Sequence, residues 1–238
     1  MTETTSLATD LELLRGTSIA SLVRSKIEDE IISGLRRGGD HVTEQELTSK
    51  FRISRGPVRE ALRALEGQGL LEQKKNKGWF VKVLDQYEVE CVFEMRAILD
   101  NGLAALLMSK NATRSWEEGL KNLKRQVADM DKAIQANDTG HYAQHNQAFH
   151  DTLLGMAGND HLARTYRNLM GQLASHVVNS LTIGNAMKSS NAEHVEMINA
   201  ISDGDEKRLR QIFTSHRVET LNRMTHVSNR SAATGKAN

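Results

Sequence analysis

The sequence predicts a mainly α protein carrying one small β-ribbon, and three observations predict it. Apolar residues recur at helical spacing along almost the whole chain, the period changes only between Leu70 and Val83, and proline is reduced to a single residue, Pro57. These shifts of pattern divide the chain into an expected disordered leader over 1–16, a first domain over 17–83, an all-helical domain over 84–228 and a flexible tail over 229–238. With 39% apolar residues in 238, packed cores need no covalent help. Cys91 is the only cysteine, which excludes an intramolecular disulfide and a four-cysteine zinc site and fits a reducing compartment. The N-terminus lacks the basic start and apolar run of a secretion signal, and no window of about 18 apolar residues could span a membrane. The expected location is the cytoplasm.

The first domain reads element by element. Ile19, Leu22, Val23, Ile27 and Ile31 have helical spacing behind a cap at Thr17 or Ser18, and the helix stops at Ser33-Gly34. A basic, glycine-containing turn follows, Arg36-Arg37-Gly38-Gly39. Thr43-Glu44-Gln45-Glu46 has the form of a capping box and starts a short helix with Leu47 and Phe51 inward. Ser54 is the expected cap of a third helix, with Val58, Ala61, Leu62 and Leu65 inward, that stops near Gly67-Gln68-Gly69. Pro57 falls in its first turn, where N–H groups have no intrahelical partner, so the missing donor costs little and the fixed φ favours entry. Leu70–Gln73 and Trp79–Val83 then read as two strands around a basic glycine turn. Three short helices followed by such a ribbon predict a winged helix-turn-helix. Beyond Asp85 the pattern predicts a C-terminal antiparallel six-helix bundle, with helices at roughly 86–109, 113–136, 139–157, 160–180, 189–203 and 205–228.

Charge points to a polyanion for the first domain. The formal net charge is only +1, yet Lys50 to Lys82 holds nine basic residues against three acids. Arg55, Arg59 and Arg63 share one side of the third helix while Val58, Leu62 and Leu65 lie on another. In a helix-turn-helix that second element enters the major groove, where an arginine fork meets guanine O6 and N7 together. Lys74, Lys75 and Lys77 beside Gly78 would place a positive wing tip against the same duplex.

The helical domain offers histidines. His141 and His145 read as an exposed polar face, whereas His150, His194 and His216 each lie beside the apolar side of a different helix. On spacing alone they either converge on a metal or are separately satisfied core residues. A three-histidine site with an open position could activate water, but no partnered general base and no Gly-x-Ser-x-Gly nucleophile motif accompanies it, so the protein is not read as an enzyme.

Several runs carry a family resemblance. Glu44-Gln45-Glu46-Leu47, then Ile53-Ser54-Arg55-Gly56-Pro57-Val58-Arg59-Glu60-Ala61-Leu62, then Leu65–Leu70 resemble the signature of GntR-family bacterial transcription regulators over about residues 17–83. Residues 86–226 resemble the FCD effector-binding domain of the FadR subfamily through Glu94-Met95-Arg96 with Leu99-Asp100, Asn146 with Phe149-His150, His194, and Gly204-Asp205 leading to His216; the length is closer to the VanR group. The resemblance implies a homodimeric repressor on a palindromic double-stranded operator, contacted by Ser54, Arg55, Gly56 and Arg59 with Gly78 at the wing beside Lys77. It further implies a divalent metal (zinc, with nickel or manganese as alternatives) on Asn146, His150, His194 and His216, and a small organic acid as effector with Arg96 as an anchor. A metal-sensing regulator and a metal-dependent enzyme fused to a DNA-binding head are the alternatives. Three positions depart from the family pattern. Gly56 replaces a usual threonine or serine, Gly38-Gly39 replaces Pro-Gly, and Asn146 stands where aspartate is common, a neutral amide being the weaker ligand.

Overall fold

The computed structural model describes residues 18–109 and 114–234. The expected leader, Thr17, the break at Asn111-Ala112-Thr113 and residues 235–238 of the expected tail lie outside the described residues. The chain divides into two compact units, one reaching Ile31 and resuming over Arg36–Lys82, the other comprising Ile32–Leu35 and everything from Val83.

In the first unit, helix α1 (Ile19–Ile32) buries Ala20, Val23, Ile27 and Ile31, steps of three and four that keep one face inward. The Ser18 hydroxyl caps it by accepting from the Ser21 N–H at 3.1 Å. A two-residue strand that the sequence pattern did not predict, β1 (His41–Val42), precedes α2 (Glu44–Phe51). The Thr43 hydroxyl accepts from the Glu46 N–H at 3.1 Å, as a capping box requires. The reciprocal half is not formed. The Glu46 carboxylate pairs instead with Arg36, which also bonds Glu30, and Lys50 joins Glu30. Arg36 is 8% exposed, and a buried guanidinium needs its acceptors more than a helix-end N–H that water can reach.

Helix α3 (Arg55–Gly67) follows an extended Ser54, but that side chain makes no capping hydrogen bond, so the expected cap holds by position only. Pro57 is the third helical residue, within the turn whose N–H groups have no intrahelical acceptor. Strands β2 (Leu71–Lys74) and β3 (Gly78–Val81) pair antiparallel with Lys74 opposite Gly78, and β1 adds to the other edge of β3, giving the order β1-β3-β2. Val42, Leu71, Trp79 and Val81 face inward and are buried. Period-two alternation places Phe80, Glu72 and His41 on the outer face.

The second unit is helical throughout its described residues: α4 (Gln86–Ser109), α5 (Arg114–Gln135), α6 (Thr139–Ala157), α7 (Asp160–Gln172), α8 (Ala174–Leu181), α9 (Ala186–Asp203) and α10 (Glu206–Thr234). The segment expected as one helix over 160–180 is two, meeting at Leu173. The bend sinks Leu173 to full burial beside Phe93, Val89 and Met224, a tertiary gain that local periodicity does not report. Helix α10 runs to Thr234, past its expected end at 228 and into the expected tail. Asp138 and Asn159 cap α6 and α7 through their side chains, and Gly158 and Gly204 end α6 and α9 in the left-handed conformation. Helices α5 and α6 approach closely because Gly119 has no side chain; a methyl group there would lie 2.5 Å from Met156 Cγ. Tyr142, Phe149, Leu107, Leu123, Met130 and Leu153 are fully buried in the main core, each stabilising by about 1.5–3 kcal/mol.

Candidate nucleic-acid face and candidate metal centre

Ser54, Arg55 and Gly56 are exposed at the N-terminus of α3, and Arg59 is exposed one turn later. Val58, Ala61, Leu62 and Leu65 behind them are 0–1% exposed, so the helix is held from one side and donor-rich on the other. The Arg59 Nε–H lies 2.8 and 2.9 Å from the two Glu44 carboxylate oxygens on α2. That pair fixes the stem and leaves the two terminal nitrogens without a protein acceptor among the described residues. A Cβ at Gly56 would meet nothing within 4 Å, so packing does not require the glycine; its consequence is bare backbone at a helix start, where N–H groups favour anions.

At the ribbon tip Lys77 is exposed and Gly78 adopts φ +92°, a value that L side chains rarely take. A Cβ at Gly78 would also fall 2.8 Å from His41 Nε2, so this glycine is required by the ribbon itself. His41 stacks on Phe80 with ring centroids 4.7 Å apart, and Lys74 Nζ lies 4.8 Å over the same ring. His41 was not singled out from the sequence, because a two-residue strand gives no pattern.

The second unit brings the three histidines together. His150 on α6, His194 on α9 and His216 on α10 have ring centroids 5.1–5.7 Å apart, and one potential ligand nitrogen from each lies within 4.8 Å of the others. His194 is fully buried against Phe149, and neither of its ring nitrogens has a hydrogen-bond partner. Leaving such a group unsatisfied costs about 1–3 kcal/mol, which a ligand at the cluster would offset. His216 Nδ1 lies 2.6 Å from Glu193 Oε2. A carboxylate only accepts, so Nδ1 carries the proton and the Nε2 lone pair is left for the cluster. Burial holds all three rings well below the ordinary 6.5, with Arg96 adding to the effect. They are neutral, the form that binds a cation. This donor set, with its buried orphan nitrogens and its carboxylate-oriented imidazole, fits a divalent metal.

Asn146, one turn before His150, lines the cavity that His150 and His216 also line. Its side chain makes no protein hydrogen bond among the described residues. Arg96 lines it too and is 4% exposed, so its ion pair with Asp100, at 3.7 Å, is buried. Its Nε–H donates to the Tyr166 hydroxyl at 3.0 Å, which donates to Asp100 Oδ1 at 2.8 Å, while Arg217 holds Asp100 Oδ2 at 3.0 Å. Burial alone would weaken the charge on Arg96, but Tyr166 and Asp100 more than offset it. The cavity offers about 50 Å³ in which a water centre can sit, more than one water needs. Tyr166, Arg217 and Glu193 were not read as site residues. Glu193 adjoins His194 and Arg217 adjoins His216 in the chain, but Tyr166 lies some 70 residues from Arg96, and only the tertiary fold joins Arg96, Tyr166, Asp100 and Arg217. His141 and His145 bond Asp138 and Gln126 and take no part in the cluster, consistent with a polar face.

A winged head with an arginine-bearing helix, in a chain whose helical unit encloses a largely apolar cavity with a few buried polar groups, defines the class: a DNA-binding transcription regulator. The chain belongs to the GntR family of bacterial regulatory proteins, which matches residues 19–81, with an FCD domain over residues 91–219. A Bacillus subtilis protein, the uncharacterized HTH-type transcriptional regulator YdhC, is 24% identical over 85% of this chain and 89% of its own. The probable D-xylose utilization operon transcriptional repressor of Paenarthrobacter nicotinovorans is 27% identical over 88% of this chain and 89% of its own. The solved structure of E. coli McbR/YncC superposes with a TM-score of 0.80 at 15% identity, covering 89% of this chain and 99% of that one. These families and relatives are transcription regulators, not enzymes. The head implies operator DNA as partner and the FCD domain a small-molecule effector. No helix among the described residues is long and apolar enough to cross a membrane.

Proposed function

We propose that the protein is a cytoplasmic, homodimeric repressor of a catabolic operon, whose DNA affinity is set by a small organic acid bound beside a divalent metal. The observation that carries this is the convergence of His150, His194 and His216, the first and last of which line a cavity that also presents the buried Arg96. The metal would be held by the three imidazoles, with Asn146 in reach from the same helix face as His150. Once bound it supplies positive charge and open coordination positions for a carboxylate oxygen. The residues do the rest: Glu193 fixes the His216 tautomer, Tyr166 and Asp100 hold Arg96, and apolar walls such as Leu154 and Val177 limit water. The cavity favours an acid as signal over the metal ion alone, because a closed metal site would need no such space. Regulation then requires only that the acid bind the free and the DNA-bound arrangements with different affinity.

Repression of a catabolic operon is supported by relatives with that role in their names, for D-xylose utilization and for gluconate. Homodimerisation is supported by Tyr87, Met95 and Ile98, exposed at helical spacing along α4, and Val218 exposed on α10. On DNA, Arg55 and Arg59 would read bases, bare backbone at Gly56 and the Ser54 hydroxyl would meet phosphate, and Lys77 with Gly78 would bring the wing to the backbone. Anisotropy titration of the DNA upstream of the protein's own gene tests the head. Arg59→Ala is expected to weaken specific binding by about 1–3 kcal/mol, roughly 5- to 150-fold, and to relax its sequence preference. Unchanged specific binding would contradict the docking.

A further inference from the structure

The cavity beside the histidines holds more positive charge than one carboxylate requires. Three arginines line it, Arg96, Arg167 and Arg223, and no aspartate or glutamate does. Arg167 is answered by Asp151 on α6. Arg96 shares the single carboxylate of Asp100 with Arg217, and its two terminal nitrogens have no protein acceptor among the described residues. Arg223 forms no ion pair among the described residues: one terminal nitrogen donates to the Thr220 hydroxyl at 3.1 Å, and its buried Nε has no hydrogen-bond partner among them. Glu193, whose carboxyl feels the Arg223 charge, is engaged at His216 Nδ1. Asn146 adds no charge on the side where a carboxylate would have.

We infer that the cavity takes an acid with two ionised groups, a short dicarboxylate, one group held at the histidines and Arg96 and the other by Arg223. Arg96 stands on α4 and Arg223 on α10, two turns beyond His216, so a single carboxylate leaves one of the two donor sets unanswered. A buried guanidinium nitrogen without an acceptor carries a desolvation penalty, and an anion at Arg223 removes it through charge-assisted, bidentate hydrogen bonds. Leu154, Met170, Val177 and Leu181 wall the space between, and room for water centres of only about 50 Å³ favours a short acid with an aliphatic spacer.

This rests on the reading of the cavity as an organic-acid site, and the experiment separates the two. Calorimetric titration of the full-length protein at fixed pH and ionic strength compares malonate, succinate and glutarate with propionate and butyrate. At least one diacid is expected to bind about tenfold or more tightly than the monoacid of equal length. Arg223→Gln is expected to remove that advantage while leaving monoacid affinity within about twofold, and Arg223→Lys to keep part of it. Equal binding of mono- and diacids, or indifference of the diacids to Arg223→Gln, overturns the dianion while the acid site stands. Binding of no acid overturns both. Should Arg223→Gln fail to fold, the wild-type ladder of acids decides alone.

Discussion

The two regions that carry function are built on opposite terms. On the winged head, Ser54, Arg55, Gly56 and Arg59 on an element anchored from behind, and Lys77 at the ribbon tip, are exposed to solvent, and Arg59 is tied only at Nε, by Glu44. In the bundle, His194 and Arg96 are buried at 0% and 4% exposure, and their satisfaction is incomplete: His194 has no partner, and Arg96 is bonded on one edge only. A surface for a long polyanion can leave its donors hydrated until the partner arrives. A site for a small ion or acid excludes water in advance, and the cost of doing so marks it.

That contrast makes acid the largest lever on the bundle. The chain's histidines take up protons near 6.5 when unfolded, whereas His150, His194 and His216 resist protonation when folded. Above that value the two states bind the same protons at these positions. Below it the unfolded state binds more, so the metal-stripped protein is expected to lose stability as pH falls through 6.5, by up to about 1.4 kcal/mol per pH unit for each histidine. Chemical denaturation at pH 7.5 and 5.5 in chelator measures this; a bundle equally stable at both would mean that the cluster protonates freely. Next in size, Leu62→Ala removes a fully buried side chain behind α3 and is expected to destabilise the head by about 2–5 kcal/mol, lowering DNA affinity while leaving metal content unchanged. A parallel loss of metal would show the two regions to be one cooperative unit. The smallest change is Thr43→Ala, which removes the α2 cap bond at about 1 kcal/mol and is expected to lower the melting midpoint of the head without altering diacid titrations.

The same contrast explains what the sequence made legible. The head was readable because its information is local: the Thr43 cap, the Pro57 entry and the switch of period at Leu70 are each declared within a few residues. What escaped there was β1, too short to show alternation, and the diversion of Glu46 to Arg36, a contact across ten residues. In the bundle, the apolar side of each helix identified His150, His194 and His216, but spacing left open whether they met. Of the groups that finish the site, Tyr166 is brought to it by packing of α7, a helix that shows no local mark of it, whereas Arg217 adjoins His216 and only its pairing with Asp100 on α4 is long-range. The break at Leu173 was hidden for a related reason: it serves the burial of one side chain in a distant cluster.

The central claim is that the three histidines form one metal site. Elemental analysis of protein purified without chelator, comparing wild type with His194→Ala and confirming the fold of both by circular dichroism, tests it most directly. About one divalent ion per chain in wild type and nearly none in the variant is the result this structure predicts; equal metal content in the two would contradict it.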